Sequence, residues 1–454
     1  MNHLNSKNWW AVSRFLSMVV AALVLLLATS ARAAAPGVTA AGTGGSTFNL
    51  NAGAGYGSQP DGVSIYSWGY GCNANSATYL PADFRGIGFC PTMQLPGPTL
   101  IVHEGTSFTV SLKNSLPAAA GNTSILFPGL TVTATSGCAT PAGLLTCEAA
   151  PGATITYTVS APLGTAGTHA YYSGTQQDLQ IEMGLFGAVI VLPSATPANC
   201  TATETGRVDY RLAPAAYNHA LTCYDREYLT QWSEIDSRIH AQVESQLKLI
   251  ASCPTTAGAQ FSCPTKLNVV TEPYRANYFL INGRSMPDNM DANFAPNYPN
   301  QPYNANPHMH PGELVLLRVI GQGHLQHPFH EHGNHVRILA RDGNLLVSQT
   351  NASLLAGRME FNTDTTPGQA FDGVFYWSGK GLGWDIYGHK PGNAGNPPCS
   401  PDANGYYTTA SGATRPSYNL TTGAFSGSPN YYEWCADHNV PLEANPIGSV
   451  GAGG

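Results

Sequence analysis

The stretch GPTLIVHEGTSFTVSLKNSLP, residues 97–117, decides the fold. From Thr99 apolar and polar residues alternate, a Gly105-Thr106 turn interrupts the pattern, and Pro117 stops it. Successive side chains of a strand point to opposite faces, so the alternation predicts two short strands with one face each in a core. ATITYTVSAP (153–162) alternates in the same way. GLFGAVIVL (184–192) is a continuous apolar run with the length of a buried strand.

Further along the chain, REYLTQWSEID (226–236), YFLINGRSM (278–286), GELVLLRVI (312–320), HVRILARDG (335–343) and FDGVFYWS (371–378) predict more strands. One segment breaks the β pattern. In RIHAQVESQLKLI (238–250), Ile239, Val243 and Leu247 recur at helical spacing, a core-facing stripe. Many short strands separated by Gly and Pro predict an all-β chain of two Greek-key β-sandwich domains. The expected organisation is domain 1 with a loop-rich leader over 34–195, and a connector with domain 2 over 196–390. A Gly/Pro/Asn-rich C-terminal extension follows over 391–454.

The N-terminus carries Lys7 and Arg14, then the apolar run FLSMVVAALVLLLATS, then small residues ending at an Ala31-Arg32-Ala33 pattern. Residues 1–33 therefore predict a cleaved secretory signal, and the protein is expected to be exported, periplasmic or extracellular, with no membrane span in the mature chain. The cysteines agree with an oxidising compartment. All ten fall into close sequential pairs, which predicts bridges Cys72/Cys90, Cys138/Cys147, Cys200/Cys223, Cys253/Cys263 and Cys399/Cys435. Charged residues are 10% of the chain, so its surface repels its neighbours weakly and self-association is easier than usual. Without a basic stripe, nucleic acid is not an expected partner. There is no GxSxG, HExxH or P-loop to suggest a hydrolase or nucleotide enzyme.

The chemistry-bearing stretch is HPFHEHGNH, residues 327–335, which holds His327, His330, His332 and His335. Histidine is the commonest metal ligand, and on a strand His330 and His332 share one face while Glu331 points away. His308, His310 and His324 lie just upstream and, with His335, form a possible second metal cluster. The alternative is a hydrogen-bonded polar rim without metal.

Taken together these segments resemble the multicopper oxidases, in particular the short two-domain, laccase-like kind. GPTLIVHEGTSFTVSLKNSLP and PGATITYTVSAPLGTAGTHAYYSG…GLFGAVIV look like the first and last strands of that family's first cupredoxin domain. FLINGRSMPD, PGELVLLRVI and HPFHEHGNHVRILARDG look like the second. The likeness covers roughly residues 95–195 and 224–390. It implies two cupredoxin-like domains and a homo-oligomer, a trimer in two-domain relatives.

The resemblance also implies copper ligands, and most of those positions hold something else. The family's TSIHWHGL is TSILFPGL (123–130) here, with Leu126 and Pro128 at the ligand positions. Its GTYWYHSH is GTHAYYSG (167–174), with Tyr172 and Gly174 there and His169 at a position the family gives to an aromatic residue. Its HPxHLHGH survives: His327 falls at a mononuclear-copper position, His330 and His332 at trinuclear-cluster positions. Its His-Cys-His becomes Tyr387-Gly388-His389, and the next ligand position is Asn393. Soft thiolate tunes the mononuclear copper and passes its electron on, so its replacement by Gly388 argues against laccase-type oxygen reduction. The sequence thus predicts a copper-binding protein, with zinc as the alternative ion, whose ligands are His330, His332 and His389, and His327 next. Tyr172 and Tyr387 are expected to fill the volume of absent imidazoles. Two other readings stay open: a structural, self-assembling protein without metal, or a copper-dependent oxidoreductase with rearranged ligands drawing a thiolate from Cys435.

Overall fold

The computed structural model describes residues 35–40, 46–73, 78–81, 84, 88–136, 146–200, 211–253, 263–307, 309, 313–332, 334–376, 417–418 and 425–426. The first half is built from β1 (Gly37–Thr39), β2 (Thr47–Ser58), β3 (Ser64–Cys72), β4 (Thr78–Leu80), β5 (Leu100–His103), β6 (Thr106–Asn114), β7 (Thr131–Ser136), β8 (Thr154–Ala161), β9 (Gly167–Tyr172) and β10 (Phe186–Leu192). A one-turn helix α1 (Gln177–Gln180) lies between β9 and β10. The strands form two five-stranded sheets, ordered β4-β1-β5-β10-β9 and β3-β2-β6-β8-β7. β5 and β10 pair in parallel although the chain between them visits the other sheet. This is a sandwich with crossovers of Greek-key type.

The alternation read from the sequence is the packing rule of this sandwich. Phe108, Val110 and Leu112 of β6, Ile155, Tyr157 and Val159 of β8, and Leu100 and Val102 of β5 all enter one core. β10 is buried on both faces. Val189 and Val191 enter that core, while Ala188, Ile190 and Leu192 face the second half of the chain. A continuous apolar run is what a strand covered on both sides requires.

The second half contains β11 (Arg226–Ile235), helix α2 (Ser237–Ser252), β12 (Tyr278–Ile281), β13 (Leu314–Gly321), β14 (His327–His330), β15 (Val336–Arg341), β16 (Asn344–Leu345), β17 (Met359–Glu360), β18 (Asn362–Thr365) and β19 (Ala370–Tyr376). One sheet runs β12-β11-β13-β19-β15-β16, with β17 on β15, and β14 and β18 form a separate ribbon. Two further short strands, β20 (Ser417–Tyr418) and β21 (Phe425–Ser426), pair with each other. β12 is shorter than the sequence predicted, because Asn282 and Gly283 both take positive φ and turn the chain back, Arg284 bridging to Ile281. Asn-Gly is the natural occupant of such a turn.

The two halves meet through their sheets. Leu229, Ile320 and Ala370 pack on Ile101, Ala170, Ala188 and Ile190. A polar clasp lies beside them: Thr168 donates from its backbone N–H and its hydroxyl to Asp372, at 3.1 and 2.6 Å. Helix α2 packs Ile239 and Val243 into the first core, with Leu247 partly buried beside them. Its N-terminus is capped by Asp236, whose carboxylate accepts the Arg238 N–H at 3.1 Å.

The segment read as a loop-rich leader supplies β2 and β3, of 12 and 9 residues, and they pair along their length as part of the second sheet. Disulfides join Cys72–Cys90, Cys200–Cys223 and Cys253–Cys263. Cys147 is also disulfide-bonded, and there is no free cysteine among the described residues. Residues 1–33, Cys138, Cys399 and Cys435 lie outside the described residues. No described helix is long and apolar enough to cross a membrane.

Candidate metal centre

Strand parity sorts the histidines of the ribbon. β14 pairs antiparallel with β18, His327 opposite Thr365 and His330 opposite Asn362. Exposure then alternates from residue to residue: His327 and Phe329 face inward, Pro328 and His330 outward, Glu331 inward, His332 outward. As a result the exposed rings of His330 and His332 stand 5.0 Å apart, centroid to centroid. Phe361, 57% exposed, lies 6.0 Å from His330 and 5.7 Å from His335. Two imidazoles, His330 and His335, thus flank one exposed phenyl ring, and His332 stands beside His330.

Glu331 points the other way, as its position between two outward histidines demands. It is 9% exposed, and neither carboxylate oxygen has a hydrogen-bond partner. Burial pushes its carboxyl up to about 7, with nearby Glu360 adding to the effect. It occupies a place where an apolar side chain would sit without penalty.

His327 is held apart from the outward pair. Its Nε2 lies 2.8 Å from Oε2 of Glu234, whose side chain is wholly buried. Its ring lies 6.2 Å from Trp232 and 6.1 Å from Phe279, centroid to centroid. His324 packs at a tilt against Tyr274, ring centroids 4.9 Å apart, with its Nε2 3.7 Å from Glu182. Tyr274 donates its hydroxyl to Glu182 at 2.8 Å. Glu182, Glu234 and Tyr274 escaped the sequence reading. The available signal was an acidic residue two places from Trp232 in a strand, hence on the same face, but its partners lie about ninety residues away in sequence.

In the first half the positions Leu126, Tyr172 and Gly174 lie near one another. Leu126 and Tyr172 form an isolated antiparallel bridge. Gly174 is hemmed in by Thr146, Leu126 and Ser124, and Ser124 shares a 2.7 Å hydrogen bond with Thr175. The Tyr172 hydroxyl faces Gly368 of the second half, 3.6 Å from where a Cβ there would stand. His169 is buried, its Nε2 2.8 Å from the carbonyl of Thr165. Leu126, Pro128 and Gly174 offer no donor side chain to a metal.

His308, His310, Tyr387, Gly388, His389 and Asn393 lie outside the described residues. Among the described residues, no three His, Cys, Asp or Glu side chains are arranged to hold a metal ion. Among the described residues, the two exposed imidazoles fit part of a site for one nitrogen-ligated ion. A cavity of about 310 Å³ opens between the halves, lined by Glu104, Leu163, Ser194, Tyr217 and Leu345. Its carboxylate is already engaged by the N–H groups of Gly164 and Ser194.

Residues 90–196 match the family model described as multicopper oxidase. Among solved structures the chain is similar to the blue copper oxidase of Nitrosomonas europaea, at 18% identity and a TM-score of 0.43, over 73% of this chain and 76% of that one. It is also similar to the copper nitrite reductase of Nitrosomonas europaea, at 14% identity and a TM-score of 0.42, over 73% and 84%. A third is the laccase of Botrytis aclada, at 16% identity and a TM-score of 0.40, over 73% and 46%. Among curated proteins there is no match to this chain.

Proposed function

We propose, from the multicopper oxidase domain over residues 90–196, that this is an exported protein that binds one copper, or another divalent ion, on a reduced set of histidines. His330, His332 and His389 are the ligands and His327 is the next candidate. The observation that carries this reading is the exposed His330/His332 pair, rings 5.0 Å apart on one face of the ribbon. Neutral imidazoles suit copper, which leads the affinity order for nitrogen sites, and also zinc. A bound ion supplies Lewis acidity, and copper adds redox chemistry. Oxygen reduction of the laccase kind is not part of the proposal, because Leu126, Pro128 and Gly174 cannot ligate and Gly388 stands where the family has its thiolate.

The test is the metal content of the purified protein by plasma mass spectrometry, native and His330→Ala/His389→Ala. About one copper or zinc per chain, absent from the double variant, supports the reading. Three or four coppers restore the oxidase. No metal in either form sinks the proposal.

A second reading is favoured by the surface itself. Phe279, Phe361 and Leu325 are 58%, 57% and 40% exposed around the histidines. Such residues on a weakly charged protein suit contact between copies, so a homo-oligomer, a trimer by the family likeness, is the expected assembly. Light scattering on the full chain tests it, and a monomer at tens of micromolar counts against it.

A further inference from the structure

We infer that Glu234 is the positioning residue of His327: it holds the imidazole in the tautomer protonated on Nε2, leaving Nδ1 as the only lone pair His327 offers a metal ion. The inference rests on the metal-binding reading above and deepens it.

An ionised carboxylate only accepts hydrogen bonds. Glu234 accepts the backbone N–H groups of His324 and Leu325 on Oε1, at 2.5 and 2.8 Å. Its Oε2 faces Nε2 of His327 at 2.8 Å, so that nitrogen must carry the proton. The loop closes over the carboxylate at Gly323, whose φ is +74° and where a Cβ would stand 2.7 Å from Oε1. Glycine takes this φ without strain and leaves room for the carboxylate. Trp232 and Phe279 then restrict the tilt of the ring. A carboxylate behind a ligating histidine is a recurrent device for fixing tautomer and raising basicity. One consequence is that His327 cannot bind through the same nitrogen that Glu234 occupies, and it faces inward, away from His330 and His332.

Glu234→Gln gives a sharp test because it changes polarity with little change of shape. The amide oxygen is needed by the two backbone N–H groups, so the NH2 turns toward His327. That reverses the hydrogen bond, makes Nε2 an acceptor and moves the proton to Nδ1. Full-length protein with ¹⁵N-labelled histidine, near pH 8, reports the tautomer by long-range ¹H–¹⁵N spectra, with His327→Gln assigning the signal. Zinc titration of the same samples reads the metal, and circular dichroism checks that both variants fold.

The expected result is an Nε2–H tautomer in the native chain, Nδ1–H in Glu234→Gln, and loss in that variant of the zinc response of the His327 ring signals, while zinc on His330 and His332, which face the other way, is unaffected. The same tautomer in both chains overturns the inference. A switch of tautomer with an unchanged zinc response of the His327 ring signals overturns the role of Glu234 toward the metal. Zinc binding by neither chain sinks the metal reading and that role together, while a switched tautomer would still establish Glu234 as what orients the ring.

Discussion

Leu126 and Tyr172 exchange both backbone hydrogen bonds, the Leu126 N–H reaching the Tyr172 carbonyl at 2.8 Å and the return bond measuring 3.3 Å. These residues stand at two of the positions where the resemblance places cluster histidines. The backbone brings them together, and neither carries an imidazole. Placing histidines here is therefore a question of space. A Cβ at Gly174 would lie 2.7 Å from Thr146 Cγ2 and 3.0 Å from Leu126 Cγ. Gly174→His is expected to cost about 1–3 kcal/mol through overpacking, and Leu126→His, at a half-buried site with room for relaxation, less. Urea unfolding of the two variants measures the order. An undiminished midpoint for Gly174→His would mean that the site remains open.

Glu331 makes stability depend on pH. Its carboxyl is raised to about 7 in the fold from an ordinary 4.5. Below about 4.5 both folded and unfolded chains hold the proton, and the fold keeps its full stability. Between there and about 7 only the folded chain holds it, so stability falls as pH rises, by roughly 3 kcal/mol at most, and the loss is complete above 7. Asp225, raised to about 6 by burial, acts in the same direction, so the comparison must be between variants. Glu331→Leu is expected to flatten the melting temperature between pH 5 and 8 and to raise it most at pH 8. Parallel curves for the two proteins would show that the carboxyl is hydrated in solution.

Arg318 is wholly buried between Glu227, at 2.8 Å, and Asp372, at 3.6 Å. It also donates to Thr168 of the first half, at 3.2 Å. Arg318→Met leaves two buried carboxylates without their cation and is expected to cost about 3–5 kcal/mol. Adding Glu227→Gln and Asp372→Asn should recover much of that loss. Denaturant midpoints decide the matter. A small cost for Arg318→Met alone would place water in this clasp.

The strands were legible where burial is one-sided or complete, as in β6, β8 and β10, because period and apolar run are local signals. The β2/β3 hairpin was not. Its glycines looked like loop punctuation, yet a Cβ at Gly69 or Gly71 would lie 2.2–2.3 Å from the backbone of Gln94 or Pro91. They are there for close backbone approach inside a sheet. Of the candidate site, the pairing of His330 with His332 and the inward turn of Glu331 were readable from parity. The hold of Glu234 on His327 was not, since it joins residues 93 apart. Long-range pairing of that kind leaves no mark on spacing.

His330 and His332 are exposed, and among the described residues the contacts that involve their side chains are ring contacts with each other and with Phe361. Neither histidine therefore supports the metal-free fold. His330→Ala and His332→Ala are expected to stay within about 0.5 kcal/mol of the native chain in chelator, as surface substitutions usually do. With metal the two proteins should part. An ion that binds only the folded chain stabilises it by about 2.7 kcal/mol at one hundred times its dissociation constant. The native melting temperature should thus rise on adding copper, and the rise should vanish in either alanine variant. Equal rises in native and variant chains would locate the copper elsewhere, whereas loss of stability in chelator would mean that these imidazoles hold the ribbon together without any ion.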